Sequence, residues 1–129
     1  MHITGIYVAL STILVIGLAL AVSLRRRTVK VGLGSGGDST LLQRIRAHAN
    51  ALENLPLALL LLLCLELGQA QPLLLHGFGS ALILGRLLHA SGLWHSAGIS
   101  FGRFYGTLLT WGAMLGMAGL LLWRQIAAV

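Results

Sequence analysis

Arg46, Asn50 and Glu53 stand at i, i+4 and i+7 within Arg46-Ala47-His48-Ala49-Asn50-Ala51-Leu52-Glu53-Asn54-Leu55-Pro56. On a helix that spacing puts a cation, an amide and a carboxylate on one face. The stretch runs directly into the apolar segment Leu57 to Leu65, so the polar face enters a medium where ionisable groups are costly and tend to mark a site. Arg86 and His89, one turn apart, share a second helical face, and Arg27 and Arg103 lie toward the same end of the chain's spans. Four arginines against one carboxylate suit an anionic ligand that also carries an ammonium group. An ion pair of Glu53 with Arg46 or Arg86 is the structural alternative. It leaves a surplus of positive charge that calls for an anion, a headgroup or water.

The elements that must position these groups follow from composition. The 129 residues are 57% hydrophobic and 9% charged, with a mean hydropathy of +0.88, which is too apolar for an ordinary soluble domain. Charge-free runs from Met1 to Leu24, Leu67 to Gly85 and Phe104 to Trp123 each suffice to cross a hydrocarbon core of ~30 Å. A fourth span arises when the Asn54–Leu65 run is extended back to about Leu41. The expectation is an all-α membrane protein, one domain over 1–129, with a four-transmembrane-helix bundle at about 3–24, 41–68, 73–94 and 103–124. Arg25, Arg26, Arg27, Lys30, Arg44, Arg46 and Arg103 border the first and third loops, and Arg124 alone falls on the other side. By the positive-inside rule both basic loops are cytoplasmic and both termini periplasmic. Positive charge following the first span, rather than preceding it, reads as an anchored helix and not a signal peptide. The net charge of +6 then reflects topology and anionic lipid, and no soluble basic patch calls for nucleic acid.

Other features read as scaffold. Gly32-Leu33-Gly34-Ser35-Gly36-Gly37 lacks the lysine and preceding strand of a phosphate loop and reads as a cytoplasmic linker, with Asp38 or Ser39 capping the second helix. Pro56 removes one ladder bond beside Glu53 and is expected to widen a pocket there. Glu66 reads as interfacial and solvated, Cys64 as packing, and Gly112 with Gly116 as a close-approach seam. His2, His76 and His95 have no partner at metal-ligand spacing, and no metal is expected.

The string RAHANALENLP, the later GRLLH at Gly85 to His89, four spans in this length and an arginine at the foot of the last helix together resemble the MAPEG superfamily. These are the membrane-associated proteins in eicosanoid and glutathione metabolism, and the likeness is nearest the bacterial YecN-like branch. The resemblance implies a homotrimer with glutathione, as co-substrate, bound between neighbouring subunits near the cytoplasmic face. It assigns Arg46, Asn50 and Glu53 to holding the tripeptide, Arg86 and His89 to lining the same pocket, and Arg103 to favouring the thiolate. Arg27 falls where some members carry a second arginine. Leu93 stands where several eicosanoid-producing members have tyrosine, whether Tyr105 replaces it is left open by the resemblance, and Ala49 replaces a basic residue of others.

The function expected is therefore a glutathione S-transferase or peroxidase of the bacterial inner membrane, acting on apolar electrophiles that arrive from the bilayer. Two rivals belong to other classes. A small proton-coupled transporter would use Glu53 as its carboxylate, and a non-catalytic bundle would bind lipid headgroups through its arginines. A transport carboxylate does not require Asn50 and four arginines around it, and Glu53 would repel anionic headgroups.

Overall fold

A computed structural model describes residues 2–96, 98 and 100–127 and shows four helices, α1 (Ile3–Val29), α2 (Ser39–Leu67), α3 (Pro72–His95) and α4 (Phe101–Ala127). Each is long and apolar enough to cross a membrane.

Helix α1 continues past the Leu24 boundary expected from hydropathy and carries Arg25, Arg26 and Arg27 as helical residues. Arginine is a good helix former, and cations near a helix C-terminus meet the negative end of its dipole. Lys30 ends the helix with a left-handed backbone, φ 55°, and its N–H bonds the Arg26 carbonyl. The glycine-rich loop then returns over that end, and Arg26 Nη1 donates to the Gly34 carbonyl at 2.8 Å. Asp38 caps α2, its carboxylate accepting the Leu41 N–H at 2.6 Å, and it also pairs with Arg25 at 2.7 Å.

At the opposite end of the bundle Glu66 is not simply solvated. Its carboxylate accepts the N–H groups of Ile3 at 2.5 Å and Thr4 at 3.0 Å, so a residue late in α2 satisfies orphan donors at the start of α1. The Tyr7 hydroxyl, with its ring laid over Gly79, donates to the His76 carbonyl at 3.1 Å and meets Ser80 Oγ at the same distance. These two contacts fasten α1 to α2 and α3. Between the ends, Leu62, Leu65, Leu82 and Met117 are fully buried in one cluster, and Leu18, Ala47, Ala51, Leu55 and Leu93 form a second one nearer the basic loops.

The close seam between α3 and α4 differs from the one expected. Gly112 faces open space and Gly116 meets the Phe78 ring. The backbones approach instead where a Cβ on Gly106 would stand 2.6 Å from the Gly85 carbonyl oxygen and the His89 nitrogen. A Cβ on Gly102 would stand 2.6 Å from the Leu88 carbonyl oxygen. Helix association in lipid rests on packing rather than on a hydrophobic driving force, so this pair of small residues one turn apart sets the register of α4 on α3. That register brings Thr110 and Arg103 beside Arg86 and His89.

Candidate functional site

The buried stripe of α2 contains Ala47, Ala51, Leu55, Ala58 and Leu62. At 100° per residue Asn50 lies on the flank of this stripe nearest the core, and Arg46 and Glu53 lie farther round. The side chains divide accordingly. Asn50 is half-buried and reaches α3, while Arg46 and Glu53 form a 4.0 Å ion pair with 57% and 56% of their side chains exposed.

Arg86 is 2% exposed. Its Nη1 donates to Asn50 Oδ1, its Nε to Thr110 Oγ1 at 2.9 Å and its Nη2 to the Gly106 carbonyl at 3.2 Å. The Thr110 hydroxyl donates in turn to the same Gly106 carbonyl at 2.9 Å. All three acceptors are neutral, so the guanidinium is hydrogen-bonded without a carboxylate. A second link ties α4 to α2: Trp111 Nε1 donates to Asn54 Oδ1 at 3.0 Å, and Asn54 Nδ2 donates to the Asn50 carbonyl at 2.8 Å.

In front of this network is a cavity of about 210 Å³ lined by Arg46, Asn50, His89, Leu93 and Arg103, with Ser39, Leu42 and Gln43. His89 and Arg103 also line an adjoining cavity of about 450 Å³ completed by Ser100, Phe104, Thr107, Leu108 and Trp111. No Asp or Glu lines either one among the described residues. The first cavity is thus a wall of donors suited to carboxylate or thiolate, and the second is mostly apolar and aromatic. A larger groove of about 640 Å³ between α3 and α4 is lined almost wholly by apolar side chains. In a bilayer, lipid tails suffice to fill such a groove, so the smaller, donor-rich cavity is the better candidate.

Of the residues singled out in the sequence, Arg46, Asn50, His89 and Arg103 are brought together at the cavity. Arg86 is held behind Asn50, and Glu53 lies outside both cavities on the outer flank of α2. Arg27 is exposed near the end of α1 and lines neither cavity. Tyr105 packs its ring on Phe101 and Phe104 and borders the large apolar groove, and it lines neither of the two cavities that His89 and Arg103 share. Pro56 faces α1, where it shares an apolar groove with Thr4, Val8 and Leu59 rather than opening space beside Glu53. Sequence spacing does not single out Thr110 or Trp111 as site residues. The available signal is a threonine within an apolar span, since a hydroxyl in lipid seeks a partner.

Four membrane-crossing helices with a donor-lined cavity toward one end define an integral membrane helical bundle. The chain belongs to the MAPEG family, whose model matches residues 4–123. It is 35% identical over 121 residues to inner membrane protein YecN of Escherichia coli strain K12, a match covering 94% of this chain and 91% of that protein. The protein of the same name from Escherichia coli O6:H1, strain CFT073, matches equally. No solved structure is significantly similar.

Proposed function

We propose that this chain is a glutathione-binding transferase or peroxidase of the inner membrane, assembled as a homotrimer with both termini periplasmic. The observation that carries the reading is the cavity lined by Arg46, Asn50, His89 and Arg103 with no carboxylate in its wall. Membership of a family linked to glutathione metabolism and relatives named as inner membrane proteins support it.

In this reading Arg46 and Asn50 hold carboxylate, His89 closes the wall, and Glu53 receives the ammonium from the exposed flank. Arg103 borders both cavities, so a thiol placed between them lies beside a cation. A cation in a low-dielectric site lowers a thiol's pKa by stabilising the thiolate. The thiolate sulfur attacks an electrophilic carbon, the new carbon–sulfur bond forms as the leaving group departs with its electron pair, and the thiol proton goes to water. The electrophile enters from the bilayer past Phe104, Leu108 and Trp111. Arg27 lies at the cytoplasmic end, where it adds positive charge toward an incoming anion. A proton-coupled transporter built on Glu53 is the weaker reading, because a transport carboxylate does not require Asn50 and the arginines gathered beside it.

Calorimetric titration of the detergent-solubilised protein with glutathione and with S-hexylglutathione tests the reading. Both are expected to bind, the S-hexyl derivative more tightly through the apolar cavity. Absence of heat with either ligand, from protein shown to be folded, refutes it.

A further inference from the structure

We infer that Arg86 is a positioning residue that fixes the side-chain amide of Asn50 with its oxygen turned away from the cavity, so that Asn50 meets the ligand only as a donor.

A guanidinium has N–H donors and no acceptor, so the Asn50 atom beside Arg86 Nη1 is the oxygen. The amide NH2 then points the other way, and Asn50 lines the cavity. Arg86 has little freedom to release it, because its Nε and Nη2 donate to Thr110 Oγ1 and the Gly106 carbonyl. With 2% exposure it has almost no water to substitute for Asn50. The backbone of Asn50 is held independently through Asn54 and Trp111. An asparagine left to itself offers oxygen or NH2 equally well and accepts either a carboxylate or an ammonium. Locked by Arg86, it offers NH2 alone. The result is a site that selects an anionic group at Asn50 and leaves an ammonium to be met elsewhere.

The identity of the ligand rests on the glutathione reading; the orientation of the amide does not. The chain has two asparagines, Asn50 and Asn54, so protein labelled with 13C at the asparagine side-chain carbonyl gives two resonances, one of them a control. Without ligand, Arg86→Met is expected to move the Asn50 resonance and leave that of Asn54 in place. Arg86→Lys, which keeps an N–H donor, should restore much of the shift. With ligand, Asn50→Asp supplies Arg86 with a counter-ion and should melt no lower than wild type. Its affinity for glutathione should nevertheless fall roughly ten- to a hundredfold, the scale of a lost charge-assisted bond. Affinity for glutathione diethyl ester, whose carboxylates are blocked, should fall much less. An Asn50 resonance indifferent to Arg86→Met, or an Asn50→Asp variant that binds glutathione as wild type does, overturns the inference. If the wild type ignores glutathione, the functional reading fails and the resonance alone decides the orientation.

Discussion

Glu53 lies midway along α2, where an ionised side chain costs about 2.5–3.5 kcal/mol if it faces lipid. Its partner is Arg46, at the outer limit of ion pairing and with more than half of each side chain exposed. Such a loose pair contributes about 1 kcal/mol or less to stability, so a stability role and the proposed ligand role predict different outcomes when the charge is removed. Glu53→Gln keeps shape and drops charge, and if Glu53 receives the ammonium of glutathione, affinity should fall by about 1.5–3 kcal/mol, or roughly ten- to a hundredfold. The melting temperature should hardly move. Titration and melting on one preparation check both, and an unchanged affinity removes the assigned role. The spacing of Arg46, Asn50 and Glu53 is enough to find this face, since helical periodicity is local information. What it does not reveal is that Arg86 turns to Asn50 rather than to Glu53. That choice depends on Thr110 and the Gly106 carbonyl reaching Arg86 from α4, which is a matter of interhelical register.

The joint between α1 and α2 at the basic loop depends on an ionised carboxylate. Asp38 is held below the usual carboxylate range, first by the hydrogen bonds from Arg25 and next by the Leu41 N–H. A carboxylate with a lower pKa folded than unfolded stabilises fully above the unfolded value of about 3.9, and that contribution is lost as pH falls through the folded value. Asp38→Asn retains a good helix cap and removes the charge. It should melt below wild type at neutral pH, and the difference should close once Asp38 is protonated in the folded protein. Melting curves across an acid series check this, and a gap that persists in strong acid would assign the effect to geometry instead. At this scale the four spans are legible because each needs only composition and length. The end of α1 is not: hydropathy stops at the first arginine, whereas the helix runs on to Val29. The α3–α4 seam is equally hidden. Gly112 and Gly116 have the same small-residue spacing as Gly102 and Gly106, and periodicity does not tell which pair meets a neighbour.

For the whole molecule, the exposed flank of α2 and the small cavity beside it are two sides of one problem. A lone chain leaves the Arg46–Glu53 pair uncovered, and Glu53, to which the ammonium is assigned, lies outside the donor-lined cavity. Both deficits are removed if a second copy packs along that flank, covering the charges and adding the missing wall. Closed rotational symmetry would repeat the same junction at every subunit of the proposed trimer. Native mass spectrometry in mild detergent with lipid retained should show a trimer. If the neighbouring copy completes the site, dissociating the trimer in harsher detergent should abolish glutathione binding while circular dichroism shows the helices intact. Returning the sample to mild detergent with lipid should restore trimer and binding together. Monomers that bind glutathione as tightly as the assembly would place the whole site within one chain, and a preparation that is never more than monomeric or dimeric would remove the trimer itself.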